Sequence, residues 1–261
     1  MFTLGCDRAY LYAHSERELT TEEQARYQAA LAERARGVPA QYITGHQEFW
    51  GLDFIVSPAV LIPRPETEHV VEMVLELARA KRNGIPEAEF AGTILDVGTG
   101  SGCIALALAH ELPDAEIIAC DVSPAALEIA RANAARLGLG ERVSFCQSDL
   151  LAAFPQPERF DFIVSNPPYV ATRDAHTLQK QVREHEPHLA LFASEQGLAI
   201  YERLVPQAQL ALKPGGWFVG EMGLGIEDGV RALLRESHWS DVRVVNDLQG
   251  IARVVAVRKR G

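Results

Sequence analysis

Two short stretches of the chain carry residues whose types and order could do chemistry. The first is Asp96-Val97-Gly98-Thr99-Gly100-Ser101-Gly102, which follows an apolar run and leads into a helical pattern. Glycines at such a point let the chain turn tightly and bring bare backbone N–H groups, at a helix N-terminus, against a nucleotide-like ligand. Asp121 ends the next apolar run, about 20 residues on, where a carboxylate can accept both ribose hydroxyls of an adenosine. Asp149 ends the third run after Gln147 and Ser148. It can accept from an adenine amino group while Leu150 packs on the ring, or it can cap a helix.

The second stretch is Ser165-Asn166-Pro167-Pro168-Tyr169, directly after the apolar Phe162-Ile163-Val164. Neither proline has an N–H, so the loop offers carbonyl acceptors without competing donors, and the rings stiffen it. An NH2 group has two hydrogens to satisfy. The Asn166 side-chain oxygen takes one and the Pro167 carbonyl the other, while Tyr169 stacks on the planar group. An amide nitrogen is a poor nucleophile because its lone pair is delocalised. Alignment and hydrogen bonds that favour a pyramidal nitrogen therefore supply the rate, and no strong base is required. An adenosine-bearing cofactor beside such an acceptor pair points to methyl transfer from S-adenosylmethionine to a planar amide or amino nitrogen. A NAD-dependent oxidoreductase shares the glycine turn and Asp121 but has no use for the Asn166 loop. A non-catalytic adenosine-binding module leaves that loop idle too.

These loops need a scaffold that gathers the carboxyl ends of several strands. Apolar runs over 94–97, 117–120, 143–146 and 162–164 alternate with helical patterns that start at Ser101 and Pro124. Such alternation predicts an α/β fold with a parallel, doubly wound sheet. A helix near 198–212, a turn at Lys213-Pro214-Gly215-Gly216 and a strand from Trp217 follow. Strands over 242–245 and 252–257 around Gln249-Gly250 close the chain as a hairpin that supplies an antiparallel strand. Near the start, Thr20 and Glu23 form a capping box for a helix to about Arg36, which Gly37 and Pro39 end. Trp50, Leu52, Phe54 and Val56 alternate with Gly51, Asp53 and Ile55, the pattern of one hairpin arm, and a helix over 68–80 comes next. Charged residues around Asn83-Gly84 and Pro86 place a linker at 81–89. The expected division is an N-terminal helical lobe over 1–45, a hairpin and connecting helix over 46–85, and the methyltransferase domain over 86–261.

A chain of 261 residues can bury a real core without disulfides. Its net charge of −10 argues against an enzyme that tracks a duplex. A DNA or RNA base N-methyltransferase could use the same loop, but it would have to extract the base and grip phosphates. The basic run Arg258-Lys259-Arg260 reads as a frayed, charged end. Cys6, Cys103, Cys120 and Cys146 are scattered, which indicates no disulfide framework and no zinc site. No leader segment and no membrane-length apolar run is read, so a cytoplasmic monomer without a bound metal is expected.

The two motifs lie among further segments that carry a resemblance. These are Arg36-Gly37-Val38-Pro39-Ala40-Gln41-Tyr42-Ile43-Thr44-Gly45, Glu48-Phe49-Trp50-Gly51-Leu52, Leu61-Ile62-Pro63-Arg64-Pro65-Glu66-Thr67-Glu68 and Glu186-Pro187. Together they resemble the bacterial release-factor glutamine N5-methyltransferases. The resemblance implies a class I methyltransferase, Rossmann-like sheet, mostly parallel with an antiparallel C-terminal strand, and S-adenosylmethionine as cofactor. The substrate it implies is the glutamine of the Gly-Gly-Gln motif in peptide chain release factors. By the same resemblance Gly98 to Gly102, Asp121 and Asn166 contact the cofactor, and Asn166, Pro167, Pro168 and Tyr169 the substrate glutamine. Phe49, Arg64 and Glu66 would shape the pocket from the N-terminal side, or Arg64 would serve a structural ion pair. The family opens with a helical lobe, and the lobe expected here is a shortened one.

Overall fold

Successive residues of the central strands fall alternately into two buried clusters, one on each face of a sheet. Ile94, Ile117, Ala119, Phe162, Val164 and Val219 belong to one, and Leu95, Val97, Ile118, Cys120, Ile163 and Phe218 to the other. A sheet buried on both faces must be covered by helices on both, which is why these strands read as unbroken apolar runs. The architecture is that of a computed structural model, which describes residues 1–81, 90–235 and 238–261. The expected linker at 81–89 falls almost entirely outside the described residues.

The chain opens with three helices, α1 (Arg8–Ala13), α2 (Thr21–Ala35) and α3 (Ala40–Thr44), none with a fully buried residue. The Thr20 capping box forms: its side chain accepts from Glu23 N at 3.2 Å, and Glu23 Oε2 accepts from Thr20 N at 2.9 Å. A hairpin follows, β1 (His46–Phe49) and β2 (Leu52–Ile55), and then α4 (Glu68–Lys81). The sheet domain runs β3 (Thr93–Val97), α5 (Cys103–Glu111), β4 (Glu116–Asp121), α6 (Pro124–Arg136), β5 (Val143–Gln147) and β6 (Phe160–Ser165). It continues with α7 (Lys180–His185), α8 (His188–Leu191), α9 (Ala199–Ala211), β7 (Leu212–Glu221), α10 (Glu227–Leu233), β8 (Trp239–Asn246) and β9 (Ala252–Lys259).

The seven strands are ordered β5-β4-β3-β6-β7-β9-β8. The first five are mutually parallel, and β9 lies antiparallel between β7 and β8. This is the expected doubly wound, mostly parallel arrangement with an antiparallel C-terminal strand. Its order reverses between β3 and β6, the crevice in which open α/β sheets bind ligands.

Three boundaries differ from the sequence expectation. Trp50 is a turn residue, not a strand residue: Trp50 (φ 55°) and Gly51 (φ 70°) form the two-residue hairpin loop. That left-handed conformation is held by polar contacts, because Trp50 N donates to Glu68 at 2.9 Å and the indole N–H donates to Glu111 at 2.9 Å. Lys213 to Gly216 lie within β7, looped out between the pairs Phe160↔Leu212 and Phe162↔Trp217, instead of preceding the strand. Helix α5 starts at Cys103, because Gly102 (φ 84°) is its N-cap.

Candidate active site

The turn after β3 is folded back onto the end of β4. Gly98 N and Thr99 N both donate to Cys120 O, at 2.8 and 3.0 Å. Gly98, Gly100 and Gly102 have φ of 73°, 55° and 84°, where a side chain is strained. Asp121 clasps the turn from below: Oδ2 accepts from Gly100 N and Oδ1 from Ser123 N, both at 2.9 Å. Each carboxylate oxygen keeps a second lone pair for a ligand. Burial raises the Asp121 pKa against the pull of those N–H groups.

Asp96 lies deeper, 1% exposed. Its Oδ2 accepts from the Thr99 hydroxyl at 2.6 Å, while its buried Oδ1 meets no protein donor among the described residues. Burial pushes the Asp96 carboxyl up to about 7, with the Thr99 bond opposing. Asp149 does not cap a helix. Its carboxylate receives Arg203 at 2.6 Å, its carbonyl receives Ala152 N, and Leu150 beside it takes a positive φ of 50°.

On β6 the Ser165 hydroxyl, buried, donates to Val97 O at 2.7 Å and ties the second motif to the end of β3. Asn166 Nδ2 donates to Thr67 Oγ1 at 3.1 Å, and the Asn166 oxygen has no protein donor among the described residues. Thr67, 2% exposed, donates in turn to Glu221 Oε2 at 2.5 Å. The Tyr169 hydroxyl donates to Glu221 Oε1 at 3.2 Å, and the Tyr201 hydroxyl donates to the Glu221 backbone carbonyl. Burial pushes the Glu221 carboxyl up to about 7, against the hydrogen bonds from Thr67 and Tyr169 and the charge of Arg253. Tyr169 is likewise raised, first by burial and then by Glu221.

A cavity of about 390 Å³ lies over the crevice, within the range of small-molecule sites. Its wall includes Gly98, Thr99, Gly100, Ser101, Asp121, Asp149, Leu150, Asn166, Pro168 and Arg64 from the sequence expectation, together with Thr67. Asp96, Gly102, Pro167, Tyr169 and Glu66 stand off the wall. Phe49 is elsewhere: it is 1% exposed and packs edge-on against Phe54 in the core under the hairpin. Arg64 combines both of its alternatives, lining the cavity and pairing with the buried Glu186 at 2.5 Å. Glu186 also accepts from Ile62 N at 3.1 Å, which holds the whole Leu61-to-Thr67 segment against the site.

Three residues of this arrangement escape a reading of the sequence as motifs. Glu221 and the relay through Thr67 are two. The third is Asn133, fully buried, which accepts from Ile55 N at 2.7 Å and donates to Ile55 O and Ser101 O at 3.0 and 2.9 Å. It staples the hairpin to the glycine turn. A usable signal exists for two of them: an amide on the apolar stripe Ala126, Leu127, Ala130, Ala134, and an acid inside the apolar run Trp217 to Met222.

Comparison with known proteins adds relatives to this geometry. The PrmC N-terminal domain profile matches residues 1–45 and the Methyltransferase small domain profile residues 83–190. The release factor glutamine methyltransferase of Koribacter versatilis is 56% identical over 99% of this chain and 88% of its own. That of Geobacter sulfurreducens is 43% identical over 98% of this chain and 85% of its own. Among solved structures, the hMettl16 catalytic domain in complex with a MAT2A 3'UTR hairpin covers 98% of this chain and 93% of its own, with TM-score 0.61. At 18% identity that likeness concerns the fold alone. With near-complete coverage at such identity, the chain belongs to the release factor glutamine methyltransferase family.

Proposed function

We propose that the protein transfers the methyl group of S-adenosylmethionine to the side-chain amide nitrogen of the glutamine in the Gly-Gly-Gln motif of peptide chain release factors. The observation that carries this reading is the direction of Asn166. Its NH2 is turned onto Thr67, and its oxygen, which meets no protein donor among the described residues, belongs to a residue of the cavity wall and is free to accept from a substrate NH2 group.

The residues present suit the cofactor. When bound, it supplies an electrophilic methyl group on a positively charged sulfur. The glycine turn offers backbone N–H groups, the free lone pairs of Asp121 suit ribose hydroxyls, and Asp96 serves the cofactor from behind the wall through Thr99, whose hydroxyl it holds. Asp149 and Leu150 are placed for the adenine, with Arg203 sharing the carboxylate. On the substrate side Asn166 Oδ1 takes one amide hydrogen and the Pro167 carbonyl the other, and the nitrogen's extra proton leaves to solvent after transfer. Pro168 and Arg64 line the cavity, and Tyr169 and Glu66, which follow them closely in the chain, are assigned to the substrate side with them. We take the working unit to be a monomer. We further assign 1–45 to holding the partner, 46–85 to shaping the site from the N-terminal side, and 86–261 to the chemistry.

The test is mass spectrometry of purified release factor after incubation with enzyme and labelled cofactor, with tRNA and DNA alongside. A methyl group on the glutamine side chain is expected. An unmodified factor beside methylated nucleic acid would move the chain to base methylation.

A further inference from the structure

We infer that Glu221 is a positioning residue for methyl transfer: acting through Thr67 it decides which way round the Asn166 carboxamide sits, and through the Tyr169 hydroxyl it holds the far end of the same loop. This rests on the reading of Asn166 Oδ1 as the acceptor for the substrate amide.

A carboxamide has two ends of nearly equal size, one a donor and one an acceptor. A hydroxyl neighbour cannot tell them apart, since it can donate or accept. Thr67 has one hydroxyl hydrogen, and the Glu221 carboxylate, which when ionised only accepts, takes it at 2.5 Å. Thr67 is left with lone pairs alone to offer. Asn166 must then turn its NH2 towards Thr67, as found, and keep its oxygen free for the substrate. Reversed, Asn166 would set its own hydrogens against those of the substrate, and the nucleophile would lose one of its two acceptors. The charge at the buried end of the chain thus sets the polarity of the exposed end.

The surroundings of Glu221 hold it near the middle of its range. Arg253 on β9, paired with Asp247 at 2.8 Å, favours the charge, and Glu66 disfavours it. Tyr201 on α9 bonds only the backbone carbonyl. With burial added, the carboxyl reaches about 7. Above that pH both carboxylate oxygens only accept. Below it Glu221 carries a hydrogen itself, and the chain of bonds can run in either direction.

The experiment measures kcat for release-factor methylation against pH for the wild type, Glu221→Gln, Thr67→Val and Thr67→Ser, with calorimetry of S-adenosylhomocysteine on each. Wild-type turnover should fall as the pH drops through about 7. Thr67→Val keeps the side chain's shape but removes the relay, and should lower kcat roughly tenfold or more through misalignment while leaving S-adenosylhomocysteine affinity little changed. Thr67→Ser should recover most of that loss, and Glu221→Gln, which cannot ionise, should flatten the limb near pH 7 to whatever Asp96, also raised to about 7, contributes. Wild-type turnover in Thr67→Val, a Thr67→Ser enzyme as impaired as Thr67→Val, or a Glu221→Gln enzyme whose pH profile has the same shape as the wild type's would overturn the inference. A wild type that methylates no glutamine at any pH would instead defeat the functional reading beneath it.

Discussion

Replacing Gly223 by alanine tests how tightly the acceptor loop is held. Gly223 follows β7 and faces the Tyr169 ring; an added Cβ would lie 2.3 Å from Cδ2, 2.6 Å from Cε2 and 3.0 Å from Cγ. Carbon atoms in contact sit about 3.5–4.0 Å apart, so the ring must retreat by roughly 1 Å. Its hydroxyl is anchored on Glu221, so retreat either stretches that 3.2 Å bond or drags the loop behind it. Overpacking of this kind costs about 1–3 kcal/mol, and a weakened bond to a charged group adds about 1 kcal/mol. In a chain of this size, a loss of about 3 kcal/mol lowers the melting temperature by roughly 6–12 °C. Displacing a catalytic loop by about 1 Å also costs turnover on the order of a hundredfold. Differential scanning calorimetry and single-turnover methylation read the two effects separately. A variant with wild-type melting and wild-type turnover would refute the placement of Tyr169 against Gly223, and a loss of stability without loss of turnover would refute its role in aligning the loop.

Other perturbations reach the remaining parts of the site. Asp121→Ala should weaken S-adenosylhomocysteine binding by about 1.5–3 kcal/mol in calorimetry, the scale for hydrogen bonds to a charged group; unchanged affinity would remove Asp121 from the cofactor site. Asn166→Ala should retain the fold by circular dichroism but lose roughly a hundredfold or more in turnover, and near-normal turnover would sink its assigned role. Asn133→Ala leaves Ile55 N–H and the Ser101 carbonyl without their partner, at about 1–3 kcal/mol for each buried group stranded. Hydrogen exchange should then quicken in the hairpin first, and uniform exchange would argue against the staple. Glu221 has a carboxyl raised from 4.5 to about 7, so the fold binds its proton more tightly than the unfolded chain does. Its contribution favours the fold below 4.5 and is lost as pH rises to about 7. Glu221→Gln should therefore gain on the wild type by up to about 3 kcal/mol in urea unfolding between acidic and alkaline pH, and a constant gap would contradict the raised value.

The parts legible in the sequence are those that a local run of residues specifies. Alternating apolar runs imply a sheet covered on both faces, and the glycines after Asp96 imply a turn at a strand end. Both follow from constraints that act over a few neighbouring residues. The same logic failed at Trp50, where period two continues through the hairpin loop. A bulky residue at positive φ is unfavourable on its own, and only the distant Glu68 and Glu111 make it tolerable. Phe49 was misplaced for a related reason: its type says that it is buried, and its position in the chain does not say against what.

The acceptor loop shows where local reading stops. Asn166 and the prolines declare acceptors, yet the direction of Asn166 is decided by Thr67, which is 99 residues earlier in the chain. Thr67 in turn is oriented by Glu221, which is 154 residues beyond Thr67. Hydroxyl and amide groups have no preferred sense of their own in such a chain, because each can serve a partner on either side. A terminal carboxylate can impose one, since ionised it has lone pairs and no hydrogen. Burying that charge is costly, and burial accordingly raises the Glu221 carboxyl against the hydrogen bonds that favour its ionised form. A neutral glutamine in its place would relieve the cost and still fill the space, but it could point either way. The acid therefore makes chemical sense in an apolar strand only when the direction of the hydrogen bonds above it matters, which ties an isolated oddity of β7 to the chemistry at the end of β6.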